Sequence, residues 1–492
     1  MYEAISNVIS FIDSEIAWGP VVCWFLVGIG VMLTILLRGL PWRNLGWALK
    51  SAFSRQKTHE KEGHEGDITP FQSLMTALSA TIGTGNIAGV AGAMAIGGPG
   101  ALVWMWIAAI FGLSTKYAES MIGVKYRQRN ERGEMAGGPM YAMKYGIGAK
   151  FKRLGAALAV IFSVLAVGAS FGIGNISQAN TIAESINTTL VKGSDTVQFL
   201  GNDVGIAFII IGVIITALCL VVLLGGIKRI GRVTGILVPV MAVFYTIGGI
   251  ICICCNAQNL PHGLYMIFTQ AFSTQAVAGG AAGMVMQLAI QKGISRGVFS
   301  NESGLGSAPI AAAAAKTDHH SRQGYINMTG TFLDTIIVCS ITGLTIASSG
   351  LLETTDLTGV NLTIAAFESG IGPIGGYIVT IGIMLFAFST ILGWEYYGER
   401  SLEYLAKSYR VNIIYRIIFS VIAFFGCTLT STLVWDISDI MNGFMAIPNL
   451  ICLAMLCLII RKDTFDFQNI IKQEKAAAKV LRKQKKQQKA AA

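Results

Sequence analysis

The chain has 492 residues, of which 53% are hydrophobic and 13% are charged, whereas soluble domains carry about 25% charged residues. Because this deficit extends along the whole chain, the composition excludes a set of soluble domains and predicts an all-α polytopic membrane protein. The net charge of +10 is attributed to membrane topology and does not indicate a nucleic-acid partner.

Apolar runs of about 20 residues, the length that crosses a bilayer, predict eleven transmembrane helices. The first run is not expected to be a cleaved leader, because Arg38 and Arg43 follow it and no basic residue precedes it. In chain order the predicted spans cover 17–37, 70–97, 101–124, 154–183, 204–225, 233–255, 264–291, 324–350, 373–403, 412–432 and 434–461.

Basic residues concentrate on one side of the predicted spans. Thirty-five of the 37 lysines and arginines lie in alternate connections and in the tail, at 38–66, 125–153, 226–232, 292–323, 400–416 and from Arg461 onward. Because basic loops stay in the cytoplasm, the N-terminus is predicted outside and the C-terminus inside, in the cell membrane. For the basic tail, a solvated and partly disordered segment is favoured over one that binds anionic lipid headgroups.

The last ten spans divide into two groups of five. An odd number of crossings inserts the second group with the opposite orientation, which is the arrangement of an inverted-topology repeat in transporters. This interpretation rests on the count and positions of the spans. The predicted organisation is an extra N-terminal helix with a cytoplasmic loop (1–66), a first five-helix repeat (67–255), a second five-helix repeat (256–461) and a basic cytoplasmic tail (462–492).

The first span of the first repeat contains SATIGTGNIAGVAG, residues 79–92, a run of poor helix formers at membrane depth. The helix begins well upstream, since Thr69, Pro70 and Gln72 form a capping-box sequence. A helix that begins with a capping box and contains a glycine-rich run at membrane depth is predicted to be broken at that run. An unwound turn exposes backbone amides and carbonyls, which lipid forbids and a polar ligand site requires.

The first span of the second repeat carries a corresponding glycine-rich stretch, FSTQAVAGGAAG, at residues 272–283. Interrupted helices at matching positions in two repeats are the best sequence indication of a transporter's binding site. The alternative for the first stretch is close helix packing, because Gly85 and Gly89 also form a GxxxG motif. Two matching interruptions, one of which contains Asn86, favour the binding site.

Two short motifs suggest enzymes, and neither has the context that its chemistry needs. GTGNIA at 83–88 matches a dinucleotide-binding fingerprint, but it follows a helix instead of a strand and lacks the downstream acid. GASFG at 168–172 matches a serine-hydrolase motif, but all five histidines lie in or beside loops, away from Ser170. No enzymatic activity is therefore predicted. A channel is the alternative from another class, although channels usually build their pores from several subunits.

Three stretches together resemble the sodium:alanine symporter family, the alanine or glycine:cation symporters. They are TALSATIGTGNIAGVAGAMAIGGPGALVWMW, GGPMYAMKYGIG and ISRGVFSNESGLGSAPIAAAAAKT, and the resemblance extends over most of the chain. Ser303 departs from the family, in which alanine is expected at that position. The resemblance implies a LeuT-like core of five plus five helices with one extra N-terminal helix, and sodium-driven uptake of a small neutral amino acid by alternating access.

Similar transporters bind one sodium ion between the first broken helix and hydroxyls of the eighth core helix, which is span nine in this chain. Ser389 and Thr390 are the only hydroxyl pair in the membrane-depth half of that span. The resemblance implies that these hydroxyls bind sodium together with the carbonyls of Ser79, Ile82 and Phe386. In the alternative, the two hydroxyls bond only to carbonyls of their own helix.

The broken helices suggest how a zwitterionic amino acid binds. Its carboxylate is expected at the amides that open the second half-helix, those of Gly83, Thr84 and Gly85, because helix N-termini bind anions. Its ammonium group is expected at carbonyls of the broken span seven, those of Ala278, Gly279 and Gly280. No buried charged side chain is required.

Two further residues are candidates for the substrate site. Asn86 is predicted to contact the ligand or to bridge the break. Trp394 lies one helical turn after Thr390, on the same face, and either forms the wall of a side-chain pocket or packs in the core.

The residues leave the exact substrate and the coupling ion open. Alanine, glycine and serine are not distinguished, and glutamine selectivity is an alternative. Proton coupling is the alternative to Na⁺, and it is disfavoured because neither broken helix carries an acid at membrane depth. No organic cofactor and no obligate protein partner are predicted besides the amino acid and the lipid bilayer.

Overall fold

The computed structural model describes residues 2–53, 65–191, 193, 195–199, 202–272, 282–428 and 432–491. Within these residues the chain is almost entirely helical, as the expected all-α class requires. Four short strands form two antiparallel hairpins, β1 (Gln128–Arg129) with β2 (Met135–Ala136) and β3 (Thr196–Phe199) with β4 (Asn202–Gly205).

The N-terminal segment and the first predicted repeat form twelve α-helices. They are α1 (Tyr2–Phe11), α2 (Pro20–Leu36), α3 (Leu40–Arg43), α4 (Leu45–Phe53), α5 (Pro70–Thr81), α6 (Ala88–Gly97), α7 (Ala101–Lys125), α8 (Pro139–Tyr141), α9 (Lys152–Phe171), α10 (Ser177–Ile186), α11 (Ile206–Leu223) and α12 (Gly226–Cys255). Short π-helical or 3₁₀ turns adjoin them at Ile12–Ala17, Thr84–Asn86, Ala142–Gly146, Ile147–Ala149, Gly172–Ile176 and Asn187–Val191.

The second predicted repeat and the tail form ten α-helices. They are α13 (Leu260–Ala271), α14 (Ala282–Asn301), α15 (Ala308–Ala313), α16 (His320–Thr331), α17 (Ser340–Ser349), α18 (Leu351–Thr354), α19 (Gly359–Ile371), α20 (Pro373–Ala406), α21 (Val411–Thr428) and α22 (Thr432–Ala491). A π-helical segment, Phe332–Cys339, joins α16 to α17 without a gap.

Within the described residues, nine uninterrupted helical runs are long and apolar enough to cross a membrane. They overlap nine of the predicted spans. The other two predicted spans are 70–97 and 264–291, the two that were expected to be broken. In the first of these, α5 has 12 residues and α6 has 10, so neither crosses a bilayer alone. The total of eleven stays a prediction.

The break in the first of these spans lies where the sequence predicts it. Helix α5 begins with the predicted capping box, in which Thr69 Oγ1 accepts from the Gln72 amide and Gln72 Oε1 accepts from the Thr69 amide, both at 3.1 Å. The helix ends at Thr81, and Ile82 adopts an extended conformation before the 3₁₀ turn and α6. The prediction of a broken helix is therefore confirmed here. In the corresponding stretch 272–283, residues 273–281 lie outside the described residues.

The broken helix lies in the middle of the helical bundle. Every residue of α5 from Ser73 to Thr81 is buried. Helix α5 packs on α12 and α20, whereas α6 packs on α14. The protein therefore shields the unwound turn from lipid, which is the condition under which irregular backbone is tolerated at membrane depth.

The C-terminal tail differs from the expectation of a partly disordered segment. Helix α22 has 60 residues and continues through the basic tail to Ala491. The reason is local composition, since the segment after residue 472 consists largely of alanine, lysine, glutamine and arginine, which are strong helix formers.

Candidate functional site

A cavity of about 290 Å³ lies beside the break between α5 and α6. One of its walls is the face of α6 that carries glycines, and Thr84 and Gly85 of the 3₁₀ turn also line it. Residues from the other helices that line it include Ile173, Ser177, Thr181 and Phe299. The size and the mixture of backbone and polar side chains suit a small polar ligand.

Gly89 and Gly92 of α6 face this cavity, whereas Gly97 packs on α14. A Cβ atom built on Gly89 or Gly92 meets no atom of the described residues within 4 Å. A GxxxG packing motif requires the opposite, a partner backbone in close contact with the glycines. The packing interpretation of Gly85 and Gly89 therefore lacks support at Gly89.

The glycines of the break itself have no such room. A Cβ atom on Gly83 lies 2.5 Å from Thr390 Oγ1, and one on Gly85 lies 3.2 Å from Phe299 Cδ1. The unwound backbone is thus pressed between α20 and α14. Any larger residue at position 83 would have to displace the Thr390 side chain.

Asn86 bridges the break, which is one of its two predicted roles. Its Oδ1 accepts from the Gly83 amide at 2.9 Å, and its Nδ2 donates to Asp334 Oδ1 at 2.7 Å. The Asn86 side chain is fully buried. Because the Gly83 amide donates to Asn86 and the Thr84 amide donates to Gln178 Oε1 at 3.4 Å, neither is free for a substrate carboxylate in this conformation.

Asp334 joins two helices of the site, and sequence reasoning missed it. It lies in the π-helical segment Phe332–Cys339, is fully buried and accepts at Oδ2 from Ser300 Oγ (2.9 Å) and Thr335 Oγ1 (2.8 Å). Ser300 belongs to the end of α14, so one carboxylate connects α14 to the break at Asn86. The available signal was an acid in the middle of predicted span eight, since intramembrane acids mark functional sites.

Gln178 is a second residue that sequence reasoning missed. Its Oε1 lies 3.4 Å from the Thr84 amide, and its Nε2 donates to the Ile173 carbonyl at 3.0 Å. The side chain is 2% exposed, and it follows the π-helical turn Gly172–Ile176. Its signal was the run of polar residues Asn175, Ser177 and Gln178 inside an apolar span.

Five oxygen atoms from α5 and α20 come together next to the break. Ser389 Oγ lies 3.3 Å from the Ser79 carbonyl and 2.8 Å from the Phe386 carbonyl. Thr390 Oγ1 lies 3.4 Å from the Ile82 carbonyl and 2.9 Å from the Phe386 carbonyl. These residues are the predicted sodium ligands, and all five are buried.

The spacing of these oxygens suits a small hard cation. Calcium, which is similar in size to sodium, binds oxygen at about 2.3–2.6 Å, so adjacent ligands stand roughly 3.4 Å apart. Both hydroxyls donate to the Phe386 carbonyl, which is the back-bonding expected in the alternative. Their lone pairs are not consumed by that donation, so the same geometry is compatible with cation binding.

The remaining residues predicted to bind the substrate either lie away from the cavity or fall outside the described residues. Trp394 is 2% exposed, forms an edge contact with Tyr397 at 5.6 Å and packs against Gly174, where a Cβ atom would lie 2.3 Å from Trp394 Cβ. It is not among the residues that line the cavity, and its pocket role stays a prediction. The predicted ammonium site, Ala278, Gly279 and Gly280, lies outside the described residues.

Charged side chains form another part of the cavity wall. They are Asp13, Lys292, Arg296, Asp436 and Asp439, and Arg296 Nη1 lies 3.4 Å from Asp439 Oδ2. The break therefore borders a compartment with both signs of charge, which suits a ligand that is itself zwitterionic.

A bundle of long apolar helices around a broken helix, with a polar cavity at the break, defines a secondary transporter of the LeuT-like fold. Among solved structures, the crystal structure of MhsT in complex with L-phenylalanine matches with a TM-score of 0.54 and 15% identity, over 82% of this chain and 99% of that chain. At this identity the likeness supports the fold alone.

The chain belongs to the sodium:alanine symporter family, whose family model matches residues 2–481. The sodium/alanine symporter AgcS of Methanococcus maripaludis is 47% identical over 473 residues, which cover 96% of this chain and 98% of that protein. The probable sodium/glutamine symporter GlnT of Bacillus subtilis is 34% identical over 465 residues, covering 94% and 90%. The protein is therefore a multi-pass membrane protein and a secondary amino-acid symporter, not an enzyme.

Proposed function

We propose that this protein imports a small neutral amino acid, alanine or glycine, by sodium-coupled symport with alternating access. The observation that carries the proposal is the convergence of five oxygen atoms from α5 and α20 at the break of the helix that borders the cavity. An ion bound there holds the unwound turn against α20 and thereby couples cation occupancy to the shape of the substrate site.

Sodium fits these oxygens better than other coupling ions. The ligand set is neutral, with three carbonyls and two hydroxyls, and hard monovalent cations need no charged ligand when several oxygens surround them. A proton would require a titratable group in the set, and these residues supply none.

The substrate proposal rests on the break and on the cavity. Thr84 and Gly85 line the cavity in the 3₁₀ turn that precedes α6, and their amides are proposed to bind the carboxylate, with the Thr84 amide exchanging its contact with Gln178 for the ligand. The ammonium group is proposed to meet the carbonyls of Ala278, Gly279 and Gly280. Phe299 lies against Gly85 and limits the space for a side chain, which favours alanine or glycine over glutamine.

Proton coupling through Asp334 is the second candidate, because an acid does lie at the break. Three donors satisfy its carboxylate, from Asn86, Ser300 and Thr335. Because these donors tie Asp334 to three different side chains, it is proposed to hold the helices together and not to carry a proton in each cycle. Uptake into the cell is proposed because the sodium gradient that drives the symport is directed inward.

The test is uptake of radiolabelled alanine into proteoliposomes that contain the purified protein. An inward sodium gradient is expected to drive accumulation, and unlabelled glycine is expected to compete while glutamine does not. Equal uptake in choline buffer under a pH gradient would contradict sodium coupling. Competition by glutamine at the same concentration as alanine would contradict the proposed selectivity and leave the symport itself intact.

A further inference from the structure

Glu395 is a buried acid that belongs to neither the proposed sodium site nor the proposed substrate site. It lies on α20, five residues after Thr390, and its side chain is 0% exposed. Neither of its carboxylate oxygens has a hydrogen-bond partner among the described residues. Leaving a charged carboxylate buried without a donor costs far more free energy than leaving a neutral polar group.

The neighbours of Glu395 do not provide the missing donors. The titratable or charged side chains that face it are Glu399 and Arg400 on its own helix, Arg416 and Tyr415 on α21, and Cys219 on α11. The Arg416 guanidinium donates to both oxygens of Glu399 and stays 4.0 Å from Glu395 Oε1. The Tyr415 hydroxyl bonds to Ser170 Oγ at 2.7 Å.

Buried carboxyl groups outnumber buried guanidinium groups in this region. Five charged side chains are buried together, namely Glu395, Glu399, Glu403, Arg400 and Arg416. Three carboxylates would face two guanidinium groups. Glu399 and Glu403 each have arginine donors, whereas Glu395 has none, so a proton on Glu395 removes both the excess charge and the unsatisfied carboxylate.

A network of hydrogen bonds links the neighbouring acids Glu399 and Glu403 to the surface and holds them ionised next to Glu395. Asn412 Nδ2 donates to Glu399 Oε1 (3.2 Å) and to Glu403 Oε2 (2.8 Å). Arg400 donates to Glu403 Oε2 (2.7 Å) and to Glu134 Oε2 (2.6 Å). Glu134 is 29% exposed and belongs to the connection 125–153 that is predicted to be cytoplasmic.

We propose that Glu395 is a proton-binding site of the transporter, with its proton shared with Glu399, the carboxyl group one helical turn further along α20. The proton site itself is argued from the geometry of α20 and α21. Its effect on uptake rests on the proposed transport function. Its consequence is that uptake requires the protonated form and falls when alkaline pH removes the proton. The other fully buried acids near the α20 helix differ, because Glu119 accepts from Gly304 and Asn449, and Glu302 accepts from Ser307.

The first test compares the pH profile of sodium-driven alanine uptake in the wild type and in Glu395→Gln, whose amide mimics the neutral carboxyl. Wild-type uptake is expected to fall by up to about tenfold per pH unit on the alkaline side, as loss of one proton requires. Glu395→Gln is expected to be active with a flat profile. Glu368→Gln removes an exposed carboxylate and should keep the wild-type profile. An unchanged alkaline fall in Glu395→Gln would overturn the proposal.

A spectroscopic readout separates this proposal from the transport function. The infrared band of a protonated carboxyl group in the purified protein should lose intensity in Glu395→Gln, and titration to alkaline pH should remove the same intensity from the wild type. If the wild type transports no amino acid, the proposed function fails and this band still reports on the proton. If neither change of the band is seen, Glu395 is ionised and the proposal is wrong.

A second variant guards against misfolding of Glu395→Gln. Glu395→Asp keeps the titratable group, so it should retain an alkaline fall in uptake, displaced along the pH axis. A flat profile in Glu395→Asp would contradict the proposal.

Discussion

At the scale of single residues, the candidate cation site is built from groups that are ordinary in any helix. Ser389 and Thr390 bond to the Phe386 carbonyl as hydroxyls in helices often do. What distinguishes them is that α5 ends beside them, so that the Ser79 and Ile82 carbonyls face the same point. The sequence identified these five residues through a family resemblance, and the hydroxyl pair alone would not have distinguished ion binding from back-bonding.

Thr390→Ala removes one of the five oxygens and should weaken sodium binding without unfolding the site. The sodium concentration for half-maximal alanine uptake is expected to rise roughly tenfold, the effect of about 1.4 kcal/mol on a binding constant. Thr390→Ser should restore the wild-type requirement. Ser401→Ala is the matched control, because within the described part of the chain this buried hydroxyl on the same helix bonds only to the Tyr397 carbonyl, at 2.8 Å. An unchanged sodium dependence at equal expression would assign Thr390 to back-bonding.

Gly83→Leu should abolish alanine binding while the protein still inserts and purifies as a uniform particle. Leucine is favourable at membrane depth by about 0.3–0.6 kcal/mol, but its Cβ atom would lie 2.5 Å from Thr390 Oγ1. The measurement is stabilisation against heat by alanine in sodium, which reaches about 2.7 kcal/mol for the wild type at 100 times the Kd. Gly28→Leu is the control, since a Cβ atom there meets nothing within 4 Å. Normal alanine binding by Gly83→Leu would exclude the break as the carboxylate site.

At the scale of helices, the start and the break of the α5–α6 span were predictable, and the contacts across the break were not. Capping and helix breaking depend on residues close in sequence, so Thr69, Gln72 and the glycine run were sufficient. Asp334 reaches Asn86 from a helix about 250 residues away in sequence, in a π-helical segment that rotates the side chains relative to a regular helix. No local pattern indicates which face of that segment meets the break.

Asp334→Asn tests whether this side chain holds the two helices together. The asparagine side chain has one acceptor oxygen for the three donors that Asp334 satisfies, and its own amide group faces at least one of those donors. Each buried polar group left unsatisfied costs about 1–3 kcal/mol of stability. We expect a lower temperature of thermal denaturation and a loss of alanine-induced stabilisation. Asp356→Asn, in an exposed connection, should change neither quantity. If Asp334→Asn is as stable as the wild type and binds alanine, the Asp334 carboxylate does not hold the two helices together.

At the scale of the whole molecule, composition and charge carry more information than any motif. The helical class follows from hydropathy along the chain, and the family model over residues 2–481 supports a single symporter unit. Orientation in the membrane rests on the distribution of lysine and arginine. It is open to direct test because cysteines that are exposed, Cys254 and Cys255, lie at the end of α12 that is predicted to be outside.

A membrane-impermeant maleimide applied to intact cells should label Cys254 and Cys255. Labelling should disappear in the Cys254→Ser/Cys255→Ser double variant. When Arg410→Cys, in a connection predicted to be cytoplasmic, is introduced into that double variant, labelling should appear only after the membrane is permeabilised. The reverse pattern would place the N-terminus inside and contradict the predicted topology.

Helix α20 runs without interruption from Pro373 to Ala406, and it carries both the candidate sodium ligands and Glu395. Five residues of helix separate Thr390 from Glu395, about 7.5 Å along the axis. A proton that neutralises Glu395 removes the attraction of this carboxylate for a cation at Thr390, which is at most about 2 kcal/mol at that separation and an effective dielectric of about 20. Thermodynamic linkage makes the penalty reciprocal, so each cation weakens the binding of the other. If both proposed sites exist, sodium and the proton are antagonists that share no ligand, and protonation of Glu395 favours the release of sodium.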